Sequence, residues 1–382
     1  MPDYASEPPD YRYFDLAGSH ADLGRALGLS DPPFTVQPWW APVAPLPFTR
    51  ECAAVVRAFH APLMEEFLGY ADAQRADPDA LWQQCCRVDL KARFRLGAEG
   101  CSTFAWLDGE RAVAGRNYDY WPMQARRQRI RFTPAARGAH ASLGARGGAP
   151  CGRYDGLNRH GLFVSLHVVL TDPPDAIKPG IPFHLVARLA LELCASAREA
   201  VDLLLRLPHL SALNYLVADP GMACVVEADP RRVRARDSDP GPGGARIAAA
   251  TNHFRHPDMQ PLQGRRATRS SACRLDYLTR QPGRDLAGAR DVDDLLDRTQ
   301  RILSDRGVPI SGADGPLATL WSCAAELRSR RIRYAAGAPH MTPFVEHPSF
   351  ASQAPGQPDE DGAGAAGASA AAGEMRVPGQ VD

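Results

Sequence analysis

The chain has 382 residues, with 44 Lys and Arg against 44 Asp and Glu, and 45% of it is apolar. That balance gives no electrostatic footprint for nucleic acid or an anionic membrane, and no apolar run approaches membrane-spanning length. Nine cysteines, an odd number scattered through apolar segments, fit a reducing compartment better than a disulfide framework.

The length suits one large domain or two ordinary ones. The N-terminus lacks the basic and apolar regions of a secretory signal, so a cytoplasmic location is expected. Residues 1–10 read as loose chain. Phe14 to His20 reads as a strand, with Ser19 capping a short helix from Ala21 to Leu29. Proline-rich chain follows, and Trp39-Trp40 suggests a packed apolar wall. Residues 50–76 read as helix, with Val55, Val56, Phe59, Leu63, Phe67 and Tyr70 at three-to-four spacing. Leu81 to Val88 begins another helix. Arg87, Lys91, Arg93 and Arg95 form a basic run, read as a solvated surface. Cys85-Cys86 lacks zinc-ligand spacing, so neither a metal nor a cofactor is assigned.

Gly100-Cys101-Ser102-Thr103-Phe104-Ala105-Trp106-Leu107 then meets an Asp108-Gly109 pair. Beyond that pair runs Glu110-Arg111-Ala112-Val113-Ala114-Gly115-Arg116-Asn117-Tyr118-Asp119. Apolar runs around Asp-Gly predict a hairpin with a two-residue turn. Leu107 then faces Glu110, and Cys101 lies opposite Arg116. A guanidinium beside a thiol favours the thiolate. A one-residue slip would pair Cys101 with Asn117 instead. A cysteine in an apolar run is ordinarily a small buried hydrophobe. Gly100, which tolerates strained backbone, and the Arg116 to Asp119 stretch set this one apart.

Arg129 to Phe132 reads as a strand and residues 136–152 as a Gly/Ala-rich loop. A turn at Asn158 to Gly161 feeds a β-rich run ending near His167. Pro182 to Leu193 reads as a helix, and Ser196 caps the next, with Glu199 at the capping-box position. Ala212 to Asp219 and Met222 to Glu227 form a second hairpin, with Val233 to Arg236 as an edge strand. Ile247 to Phe254 is a strand ending in polar groups. Arg265 to Arg280 and Asp291 to Leu303 read as amphipathic helices. Leu317 to Ala324 and Arg331 to Ala336 read as closing strands. From Ser352 the Ala/Gly/Pro tail cannot bury enough apolar surface to fold alone. Periodicity gives an α+β class and no repeat architecture.

Gly100-Cys101-Ser102-Thr103-Phe104-Ala105 followed by Gly115-Arg116-Asn117-Tyr118-Asp119 resembles the self-processing acyltransferases and amidases typified by isopenicillin N acyltransferase. More distantly the chain is similar to choloylglycine hydrolases. The resemblance is strong over residues 99–119 and loose over 12–345. It implies an N-terminal nucleophile (Ntn) hydrolase, an αββα sandwich of two antiparallel sheets flanked by helices. It also implies cleavage between Gly100 and Cys101. The expected parts are a mainly helical segment 1–100, a core 101–345 and a tail 346–382, with the cleaved first segment remaining as the core's partner.

A mature N-terminal Cys101 supplies both nucleophile and base, because a free α-amine has a pKa of about 8 and a thiol about 8.5. The thiolate attacks an amide, forms a thioester and releases an amine. By family analogy Arg116 holds down the thiol pKa and Asp119 orients the α-ammonium. Asn252, in Thr251-Asn252-His253-Phe254, matches a strand-end pattern of the family and is the candidate oxyanion donor. Ser270-Ser271-Ala272-Cys273-Arg274 resembles a segment that lends polar groups to the pocket, which makes Arg274 a site candidate. The alternative for Arg274 is a helix-surface salt bridge. Relatives carry a strand-borne Asn where this chain offers His167, a structural or pocket histidine. Asn214 and Glu227 are lesser candidates. Competing readings are acyl transfer from an activated thioester, a papain-like Cys–His pair using His253, and a processing-dead small-molecule binding protein.

Overall fold

In a computed structural model, the described residues are 9–34, 44–92, 100–122, 127–148, 150–172, 176–263, 268–308, 310, 317–348 and 350. Trp39-Trp40, Arg93, Arg95 and the tail from Ser352 lie outside them. The chain opens with β1 (Tyr13–Gly18), α1 (His20–Ser30), α2 (Leu46–Phe59), α3 (Ala61–Ala73) and α4 (Pro78–Ala92). The predicted continuous helix over 50–76 is two helices broken at His60, whose extended backbone precedes Pro62. Proline at that position starts a helix easily and cannot continue one. Arg87, expected on a solvated surface, is buried.

The core begins with β2 (Ser102–Leu107), β3 (Ala112–Tyr120), β4 (Arg129–Pro134), β5 (Ser142–Ala145), β6 (Asp155–Asn158) and β7 (Phe163–Val168). Helices α5 (Phe183–Leu193) and α6 (Ala197–Arg206) follow, then β8 (Leu213–Ala218), β9 (Ala223–Asp229), β10 (Arg232–Asp237), β11 (Asp239–Pro240) and β12 (Arg246–Ala250). The chain continues through α7 (Gln260–Gln263), α8 (Arg269–Asp285), α9 (Val292–Leu303), β13 (Ala318–Glu326), β14 (Arg331–Ala335) and β15 (Phe344–His347). The stretch 136–152, expected as loop, contains β5, which pairs with both β4 and β6. Its Gly and Ala content hides it, because Gly144 packs where a Cβ would lie 2.0 Å from the Asp155 carbonyl oxygen.

The strands form two sheets, in the orders β1-β4-β5-β6-β7-β8-β9-β10 and β11-β12-β2-β3-β13-β14-β15. Neighbouring strands are antiparallel, apart from β1, which runs parallel to β4. Strands β2 and β12 lie against β8 and β9, so the sheets stack. Helices α5 and α6 cover the first sheet, and α8 and α9 cover the second. The layers are therefore αββα, and the α+β expectation holds. Alternation along β2 explains why it reads as a solid apolar run. Ala105 and Leu107 join the main core, whereas Phe104 and Trp106 join a second core with Leu278, Leu295 and Leu296 of the covering helices. Both faces are buried, so period-two polarity is lost.

The segment before Gly100 is more than helical packing, since β1 is built into the first sheet. Helices α1 and α3 cross backbone to backbone. A Cβ on Gly24 would sit 1.7 Å from the Glu66 carbonyl oxygen, and one on Gly69 would sit 2.2 Å from that of Ala21. Contacts bound one compact unit at Met1–Ser352. No described helix is long and apolar enough to cross a membrane.

Candidate active site

Cys101 lies one residue before β2, buried at 2% exposure. The turn between β2 and β3 holds four residues, not two. Leu107 pairs with Ala112, so Arg116 faces Thr103 rather than Cys101. The Asp108 carboxylate rebuilds the turn by accepting from the backbone N–H of Glu110 (3.1 Å) and Arg111 (2.8 Å), and from the Arg111 side chain. The register therefore differs from the expected one by an even step. Side-chain faces alternate with period two, so an even step preserves them. Arg116 stays on the face of Cys101 as a diagonal neighbour, with Nη2 4.0 Å from Sγ.

Arg116 is fully buried. Its Nη1 donates to the Tyr154 carbonyl at 2.8 Å and its Nη2 to the Leu166 carbonyl at 2.9 Å. Asp155 faces its Nε at 3.4 Å and also accepts from Trp321 Nε1 and Tyr334 Oη. Burial works against the charge, but Asp155 and then Cys101 outweigh it and raise the guanidinium's pKa. The cation is thus fixed by neutral carbonyls and one buried carboxylate, with an edge left towards the thiol.

Asp119, near the end of β3, lies against Gly100. A Cβ on Gly100 would come 2.9 Å from both Cβ and Oδ2 of Asp119. Gly100 has no positive φ. Glycine is required there by space, not by a strained dihedral. Asp119 also accepts from Thr319 Oγ1 at 2.6 Å, beside an irregularity in the β3–β13 pairing between Thr319 and Trp321. Such bulges re-aim side chains next to sites.

Asn252 follows β12. Its Nδ2 donates to the Val168 carbonyl at 3.0 Å, and its Oδ1 accepts from Arg274 Nη2 at 3.0 Å. Arg274 is buried, which removes the helix-surface reading. Its Nη1 also donates to the Cys101 carbonyl at 2.5 Å and to Ser102 Oγ at 2.9 Å. One guanidinium thereby ties the candidate nucleophile to the candidate oxyanion donor. Ser271 Oγ accepts from the Asn252 backbone N–H at 2.9 Å and fixes the loop from below.

His167 is brought to the site, and both of its ring nitrogens bond groups other than the thiol. Its Nδ1 donates to the Asn214 carbonyl at 3.2 Å, which leaves Nε2 to accept from Thr103 Oγ1 at 2.7 Å. Burial, then Arg116, push its pKa well below the usual histidine value, so it is neutral. Asn214 Nδ2 donates to the Thr251 and His253 carbonyls at 2.9 and 2.8 Å, holding the Asn252 loop. His253 hydrogen-bonds Ser271 Oγ through Nδ1 at 2.7 Å, and burial, followed by Arg274, lowers its pKa to about 4. Glu227 accepts from the backbone N–H groups of Arg255 and His256, a loop-holding role. Ser271 stood within the segment that resembles the family's pocket segment, whereas Thr103, Asp155 and Thr319 were not singled out by sequence. Of those three, only Thr103 carried a signal, as the residue two beyond Cys101 on its face of the strand.

A family model described as acyl-coenzyme A:6-aminopenicillanic acid acyl-transferase matches residues 106–340. The match begins just beyond Cys101 and includes Arg116, Asp119, His167, Asn214, Asn252 and Arg274. No curated protein sequence matches the chain. Among solved structures, the Caenorhabditis elegans ortholog of N-acylethanolamine-hydrolyzing acid amidase is similar, at 17% identity and a TM-score of 0.41. That likeness covers 59% of this chain and 92% of the other. Two variants of the conjugated bile acid hydrolase of Clostridium perfringens are similar at 11% identity and a TM-score of 0.40. They cover 66% and 67% of this chain and 95% and 100% of their own.

Proposed function

The chain belongs to the acyl-coenzyme A:6-aminopenicillanic acid acyl-transferase family, and on that premise we propose that it is a self-processing cysteine amidohydrolase or acyltransferase acting on a linear amide. The observation that carries the reading is the double hold on Cys101, with Arg116 beside its sulfur and Arg274 on its carbonyl.

Processing begins when Sγ of Cys101 attacks the Gly100 carbonyl carbon. The Gly100–Cys101 C–N bond breaks as the amide nitrogen takes a proton, leaving a thioester. That step has already freed the Cys101 α-amine; water then hydrolyses the thioester, breaking its C–S bond and releasing the Gly100 carboxylate and the Cys101 thiol. Asp119 then acts on both products. It attracts the new α-ammonium and repels the new Gly100 carboxylate, which clears the site.

In turnover the α-amine takes the thiol proton, and the thiolate attacks the substrate carbonyl. Asn252 Nδ2 keeps one N–H beyond its bond to Val168, and we assign this donor to the developing oxyanion. Collapse expels the amine, which takes its proton from the α-ammonium. Water completes hydrolysis of the thioester; a second amine completes acyl transfer. Both outcomes use the same residues. His253 and His167 bond other hydroxyls, which favours the α-amine as base.

Denaturing intact-mass analysis tests the reading. Purified protein should give two chains, 1–100 and 101–382, that co-elute under native conditions. Cys101→Ala should remain one inactive chain. An active enzyme that stays uncut would move the base to a histidine.

A further inference from the structure

His20 opens α1, His60 is the single residue between α2 and α3, and Glu192 lies in the last turn of α5. His20 Nε2 and His60 Nε2 both meet Oε1 of Glu192, at 2.6 and 2.7 Å. We propose that these three side chains form a divalent-metal site, selective for Zn2+ or a chemically similar ion, that clasps the segment before Gly100 to the core. The proposal stands independently of the nucleophile's chemistry.

The donor set fits. Two imidazole nitrogens and one carboxylate oxygen suit Zn2+ and its neighbours, with solvent as a fourth ligand. The three donor atoms all lie within 4.8 Å of one another. Zinc bonds of about 2.0–2.2 Å separate tetrahedral donors by about 3.3 Å. The two short N···O contacts of 2.6 and 2.7 Å open by about 0.7 Å, the two imidazole nitrogens close from within 4.8 Å of each other, and each ring carries its proton on Nδ1 once Nε2 ligates. His20 and Glu192 are buried, and the 12%-exposed His60 side chain gives the solvent edge.

The surroundings orient the carboxylate as metal sites require. Arg188 donates to Oε2 of Glu192 through Nε at 2.8 Å, with Nη2 at 2.6 Å, and this leaves Oε1 for the imidazoles. Glu66 balances Arg188 from the other side at 3.0 Å. Chain spacing hides the set, because His20 and His60 are 172 and 132 residues from Glu192.

The test uses full-length protein carrying Cys101→Ala and Cys273→Ser, which removes the candidate nucleophile and the exposed thiol. After chelator dialysis, Zn2+ is titrated and Co2+ serves as a spectroscopic probe. One equivalent of Zn2+ should bind, Co2+ should give a tetrahedral ligand-field spectrum, and the melting temperature should rise. His60→Ala, at the exposed edge, should lose at least about tenfold in affinity. His60→Cys should restore binding and add a thiolate-to-cobalt charge-transfer band. Folded protein that takes up neither ion would overturn the proposal. So would unchanged affinity in folded His60→Ala, which would leave the cluster a purely hydrogen-bonded clasp.

Discussion

Arg116 and Asp119 sit three residues apart on β3 yet serve different atoms, so their effects should separate. Arg116 faces the sulfur at 4.0 Å in a buried setting, where an opposite charge shifts a pKa by about 1–3 units. Folded Arg116→Ala should therefore raise the Cys101 thiol pKa by that order. Alkylation rate against pH reads it directly, and an unchanged profile would remove the contact from the mechanism. Asp119 lies against Gly100 instead. Asp119→Asn should leave the alkylation profile in place and slow processing, read by intact mass over time. The same separation explains Arg274, which reaches the backbone carbonyl and Asn252 rather than the thiol. None of this was visible in the spacing of 274 from 101. Helix α8 supplies the arginine by packing on β2, a contact made by tertiary structure alone.

At the level of the element, the β2–β3 hairpin positions the chemistry, and its entry is sterically tight. A methyl group at position 100 would lie 2.9 Å from Cβ and Oδ2 of Asp119. Gly100→Ala should accordingly push the scissile bond away from its alignment and slow cleavage by at least about tenfold, while circular dichroism stays native. Cleavage at the parent rate would show that the junction is slack before attack. The hairpin also shows what local sequence can and cannot specify. Apolar runs around Asp108-Gly109 identify two strands and their buried faces. They do not specify loop length, because the Asp108 carboxylate and the Arg111 side chain build a longer turn from their own hydrogen bonds. Face parity survived because the error was even. Likewise β5 was invisible, since a central strand lined with Gly144 and Ala145 lacks the β-branched residues that advertise strands. Capping chemistry was legible: Ser196 accepts from the Glu199 N–H, and Glu199 reaches back to the Ala195 N–H.

Across the whole molecule, two stacked sheets with helices on both outer faces bury several histidines that neither the site nor the clasp uses. His184 packs against Phe183 and Tyr154, and among the described residues neither of its ring nitrogens is hydrogen-bonded. Among the described residues, His209 hydrogen-bonds the Leu204 carbonyl through Nε2, and its Nδ1 has no hydrogen-bond partner. Burial lowers the pKa of His184 to about 3 and that of His209 to about 4. Both are therefore neutral in the folded protein down to those values, whereas in the unfolded chain they take up protons below about pH 6.5. The unfolded state binds more protons in that window, so stability falls as pH drops through it. At pH 5 the loss is of the order of 2 kcal/mol for each imidazole, since 1.36 kcal/mol attaches to each of the roughly 1.5 pH units below 6.5. The urea midpoint should decline steadily between pH 7 and pH 5, with little change between pH 7 and pH 8. His184→Phe keeps the ring's volume beside Tyr154 and removes the titration, so it should flatten that decline by about one proton's worth of slope. A wild-type midpoint constant from pH 7 to pH 5, or an unaltered slope in His184→Phe, would mean that these rings take up protons within the fold, against acceptors that hold the imidazolium.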